Sequence, residues 1–203
     1  MLKALMRWAA GLALGVLLLG AGVARAQISG TPHDLSGRGW GTNQICVFCH
    51  TPHNAKVGAD QIVPLWNHTT TAATFTVYGS STLQAVPGQP SGNSKACLSC
   101  HDGTVALDSY GTRTGTNFIS GSAALGTDLS NDHPVSFAYD AALATADTGL
   151  VTPASASQVV PGIPLYAGQL QCASCHSVHS NVNGDFLRAT NAASALCLRC
   201  HNK

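Results

Sequence analysis

The 203-residue chain has no glutamate, and only 9% of its residues are charged. Aromatic residues make up 6%. Both methionines, Met1 and Met6, fall in an N-terminal segment that reads as a secretory signal. That segment has Lys3 and Arg7, an apolar run from Trp8 to Val23, and Ala24-Arg25-Ala26, the small-x-small pattern that signal peptidase cuts behind. The 16-residue run is shorter than the roughly 20 residues a membrane span needs. Cleavage of residues 1–26 leaves 177 residues that begin at Gln27 and contain no methionine.

Each scarcity excludes something. After the signal, seven Lys and Arg stand against nine Asp, a balance of −2, so there is no cationic stripe for nucleic acid. A chain without Glu and poor in Lys lacks the usual surface helix formers, which argues against a helix-rich domain. Gly, Ser, Thr, Asn and Pro separate the apolar residues, and the core is thin for the length.

Cysteine is what the chain does have. All eight fall in four copies of C-x-x-C-H: Cys46 and Cys49 with His50, Cys97 and Cys100 with His101, Cys172 and Cys175 with His176, Cys197 and Cys200 with His201. This is the attachment signal of c-type haem. Two thiols one helical turn apart add to the two vinyl groups, and the next residue, His, faces the iron as proximal ligand. Four disulfides would suit an exported chain but give no reason for His after every second Cys. Cys₂His₂ zinc sites are the other competitor, unfavourable for a thiolate site exported into an oxidising compartment. Four covalent haem c groups are the expectation.

With these motifs go His33-Asp34-Leu35-Ser36, the stretch CVFCHTPHN from Cys46, Pro64-Leu65-Trp66-Asn67-His68, CLSCHDGTVALD from Cys97, Asp132-His133-Pro134-Val135-Ser136-Phe137 and the closing CLRCHNK. In these segments the chain resembles the small tetrahaem c-type cytochromes of metal-respiring bacteria with doubled C-x-x-C-H motifs. The resemblance implies a multihaem cytochrome c fold organised around a stacked chain of haems. Some relatives of this type polymerise into extracellular conducting filaments.

The motifs also repeat internally. The first and third share C-x-x-C-H-x-x-H, ending in His53 and His179, and the second and fourth share S-x-x-C-L-x-C-H, so the order is A-B-A-B. The reading is an N-terminal dihaem module over 27–105 and a C-terminal one over 106–203, with a linker or insertion at about 120–160. First cysteines are 51 residues apart in the first module (46 to 97) and 25 in the second (172 to 197). Each motif predicts a short helical turn, Thr74 to Tyr78 alternates like a strand, and Asp185 to Cys200 suits a C-terminal helix. Turn formers such as Pro87-Gly88 and Pro161-Gly162 break the rest. The fold class expected is mostly irregular and loop-rich, with short helices and little sheet.

With no Met for a sixth ligand, the remaining histidines are the candidates: His33, His53, His68, His133 and His179. Five for four positions makes bis-histidine ligation the economical reading. Asp34 and Asp132 adjoin His33 and His133 as possible second-shell acceptors. His53 and His179 lie too close to a proximal His to reach across their own porphyrin, so each is expected to serve a neighbouring haem. The surplus His is a bystander or a ligand in the next subunit, with His33 the first choice for a head-to-tail contact.

Electron relay among other redox proteins or extracellular acceptors, in the periplasm or at the cell surface, is the function expected, with no enzymatic reaction. The alternative is a multihaem reductase of a small oxyanion, which needs one iron left open. Gly37, Gly39 and Gly41 lack the strand and helix of a dinucleotide site.

Overall fold

The computed structural model describes residues 27–56 and 63–202. The expected signal, 1–26, lies outside the described residues. Among them no helix is long and apolar enough to cross a membrane.

Regular structure is sparse. Among the described residues there are three helices, α1 (Gly92–His101), α2 (Ala141–Ala146) and α3 (Cys172–Cys175), and two short strands, β1 (Phe137–Ala138) and β2 (Gln169–Leu170), paired antiparallel with Phe137 opposite Leu170. Single 3-10 turns include Ile45–Phe48 and Cys197–Arg199. This is the loop-rich fold with short helices and little sheet that the composition predicts.

The segment 120–160 is folded. Asp140 caps α2 by accepting the Leu143 N–H, and Phe137, Tyr139, Leu143 and Val159 join Ile163, Leu165 and Leu170 in the larger apolar cluster. A smaller cluster holds Phe75, Leu98 and Leu129. Thr74 to Tyr78 forms one isolated bridge, Thr76 to Asp128, instead of a strand. The Gln89 side chain bonds Phe75 at both its N–H and its C=O, which leaves no ladder to extend. The C-terminal helix expected over Asp185 to Cys200 is also absent. Asp185, Phe186, Ala193 and Ser194 all have positive φ, which interrupts any helix there.

Between α1 and α3 lies a buried polar weld. Gln171 Oε1 accepts from Ser94 N (3.1 Å) and Ser136 Oγ (3.2 Å), its amide donates to Gln169 (2.8 Å), and Ser94 Oγ accepts from Cys172 N (3.0 Å). Ser94 is wholly buried and Gln171 nearly so. Buried polar groups of this kind are costly to leave unpaired. Gln171→Leu, similar in size, therefore removes the acceptor for Ser94 and Ser136, and we expect a loss of about 2–3 kcal/mol. Denaturant unfolding followed by far-UV circular dichroism checks this: one cooperative transition in both proteins, with the midpoint lowered in the variant.

Candidate functional site

Each C-x-x-C-H closes into a turn by one backbone bond. The His N–H reaches the carbonyl of the first Cys in motif one (His50 to Cys46, 2.8 Å), motif three (His176 to Cys172, 3.0 Å) and motif four (His201 to Cys197, 3.0 Å). Motif two lies inside α1. One i to i−4 turn puts residues three and four apart on one face, so both thiols and the imidazole stand together. All eight cysteines are free thiols.

What holds the rings is not marked by any side chain. An extended strap of chain lies against each motif. In motif one, Thr51 N and Asn67 N bond Leu65 O and Cys49 O, both at 2.9 Å. In motif three, Ser177 N and Arg188 N bond Phe186 O (2.7 Å) and Cys175 O (2.8 Å) in the same pattern. Leu125 N reaches His101 O (2.7 Å) and Val151 N reaches Cys200 O (2.8 Å). From these straps a carbonyl accepts the ring Nδ1–H: Pro64 O for His50 (2.9 Å), Ala123 O for His101 (2.8 Å) and Asp185 O for His176 (2.8 Å). A ring whose Nδ1–H is engaged in this way is the tautomer with Nε2 free for a metal.

The rings then meet others. His33 stands 6.1 Å from His101 between ring centres, His179 stands 6.2 Å from His50, and His133 stands 6.4 Å from His201. With about 2 Å from a metal to each nitrogen and about 1.1 Å from nitrogen to ring centre, two imidazoles on one ion have centres about 6.2 Å apart. The residues fit an iron between each pair. Among the described residues no three His, Cys, Asp or Glu side chains converge as a metal cage.

The remaining candidates are placed differently. His68 is buried with its ring nitrogens against Thr69 O (2.8 Å) and Ala106 O (3.1 Å), and Cys100 Sγ lies 3.5 Å from Nε2. Burial pushes its pKa down, against the pull of these carbonyls, which favour the charged ring. His53 is exposed on the loop after motif one. Burial, followed by repulsion from His101, His176 and His179, lowers His33 to about 4. Asp34 does not serve its neighbour's ring: its carboxylate accepts from Ser36 and Gly30.

The cysteines bring the motifs together. Cys97 donates to Cys172, which raises the first thiol and lowers the second. Cys49 acts on Cys97 and Cys100, and Cys197 acts on Cys175 and Cys200. Motif three thus contacts motif one through His179, motif two through Cys172 and motif four through Cys175.

Residues 164–203, which contain motifs three and four, match the family model of the doubled CXXCH motif. No curated protein is significantly similar to the chain. Paired C-x-x-C-H motifs indicate covalently bound haem c. The match supports a cytochrome-like electron-transfer protein of the multihaem c type.

Leu65, whose carbonyl holds Thr51, has φ 58° and is 52% exposed. A left-handed non-glycine residue costs roughly 1–2 kcal/mol. Leu65→Gly relieves this and loses part of it to chain entropy, for a net gain of up to about 1 kcal/mol. Leu65→Val, β-branched, loses about 1 kcal/mol. Thermal unfolding of both variants checks the sign of each change.

Proposed function

We propose that the exported chain carries four covalent haems, one per C-x-x-C-H, and relays electrons between other redox proteins outside the cytoplasm. Haem iron supplies the chemistry by alternating between the ferrous and ferric states. The chain's own part is to attach, ligate and space the four groups. Cys46 and Cys49, Cys97 and Cys100, Cys172 and Cys175, and Cys197 and Cys200 form the thioethers. His50, His101, His176 and His201 are the proximal ligands.

The observation that carries the reading is that three motif rings each face another histidine at 6.1–6.4 Å. On that basis His50 and His179 would together hold one iron, His101 and His33 a second, and His201 and His133 a third. On this reading His33 serves its own chain. His179 lies three residues past His176 and serves motif one. By the same exchange His53, three residues past His50, serves His176. His68, held between two carbonyls, has a packing role.

With every iron closed by two imidazoles, no coordination position remains for nitrite or another oxyanion, which favours a relay over a reductase. The absence of methionine from the mature chain supports low potentials, because a second imidazole favours ferric iron more than a thioether does.

Intact mass spectrometry should give a chain cut behind Ala26 with four haems that acid acetone does not extract. Electron spin resonance of the oxidised protein should contain only low-spin bis-His signals, and reduced protein should bind carbon monoxide poorly. His179→Met should raise the potential of one haem and introduce the weak near-infrared band of methionine ligation. A prompt carbon monoxide shift in much of the native haem would favour the reductase instead.

A further inference from the structure

Four motif-associated rings share one feature. His50, His101, His176 and His133 each have Nδ1 within 2.8–2.9 Å of a backbone carbonyl, the last against Pro134 O. His33 differs. Its Nδ1 is buried and finds no hydrogen-bond partner among the described residues. Beside the ring, and perpendicular to it, packs Phe186, with centres 4.5 Å apart and planes at 81°.

Phe186 is itself fixed. It is 8% exposed, its N–H donates to Asn181 Oδ1 (2.8 Å), its carbonyl accepts from Ser177 N (2.7 Å), and its φ is 57°. The residue before it, Asp185, presents its carbonyl to His176. One short strap therefore orients a ring at each of two motifs: His176 by a hydrogen bond and His33 by packing.

The two kinds of support have different electronic effects. An acceptor on Nδ1–H makes imidazole a stronger donor to the metal. A ring without one donates less and stabilises the ferric state less.

We propose that Phe186 is a positioning residue for the haem of motif two: it holds His33 by perpendicular ring packing while Nδ1 has no hydrogen-bond acceptor, and this makes that haem the most positive of the set. The inference rests on His33 being the sixth ligand opposite His101.

The test is a potentiometric titration of the haem-loaded protein, with electron spin resonance of the oxidised form. His33→Ala identifies the step, because it should turn one haem high-spin, and the step lost from the low-spin set should be the most positive. Phe186→Gln brings an amide oxygen to the His33 edge. That step should then move negative by about tenfold in the reduction equilibrium, about 60 mV for one electron, with all haems low-spin. Phe186→Leu keeps an apolar neighbour and should leave the step in place. Two results overturn the proposal while leaving the ligand assignment intact: the step identified by His33→Ala is not the most positive, or Phe186→Gln and Phe186→Leu shift it alike. If His33→Ala leaves every haem low-spin, the ligand assignment itself falls.

Discussion

Two kinds of bond acting on the motif histidines organise the molecule. The backbone N–H of His50, His176 or His201 closes the turn onto the first cysteine. The ring Nδ1–H of His50, His101 or His176 is taken by a strap carbonyl. The first bond places the imidazole over the same face as the two thiols, and the second selects its tautomer and rotation. Together they aim Nε2 away from the backbone. The straps that deliver these carbonyls carry part of the backbone strain: Leu65, Asp185 and Phe186 all have left-handed φ.

A protein built this way needs little regular structure, but it still has to fix four motifs relative to one another. Two small apolar clusters do part of this. Buried polar groups do much of the rest: the Gln171 and Ser94 weld, and Asp108, fully buried, whose carboxylate accepts from Thr116, Asn117 and Arg113. Burial alone would raise the Asp108 pKa, and these donors outweigh it and hold it below the usual carboxylate range. The Asp108 carboxylate also occupies the space that a Cβ on Gly115 would need, so the loop closes only with glycine there. A chain short of large apolar side chains gains specificity from such satisfied networks.

What was legible in the sequence was what side chains carry. The eight cysteines and four following histidines announce themselves by identity and spacing, and the turn that each motif needs follows from it. The straps do not, because a carbonyl comes from any residue: Pro64, Ala123 and Asp185 have nothing in common as side chains. Left-handed Leu65 and Phe186 are equally silent, since the usual sequence mark of that conformation is glycine or asparagine. The helix expected over Asp185 to Cys200 failed for this reason, as apolar periodicity carries no information about φ. Adjacency misled as well: Asp34 follows His33 yet bonds Ser36 and Gly30 in its own turn. His33, the first choice for a contact with the next subunit, has its ring beside those of His101 and Phe186.

The repeat itself takes a different meaning in three dimensions. Read along the chain, A-B-A-B suggests two dihaem units joined by a tether. In space the units interlock, because His179 of the third motif stacks toward His50 of the first and Cys172 of the third touches Cys97 of the second. On the proposed ligand set the His50 site takes His179 from the other unit and cannot form in either half alone. Sites built from segments far apart in sequence are also hard to distort, since moving one ring displaces an anchored turn in each half. An enzyme that must open a metal position gains nothing from that stiffness. A relay gains from it directly, because electron transfer is fast where the centres and their ligands move little between oxidation states.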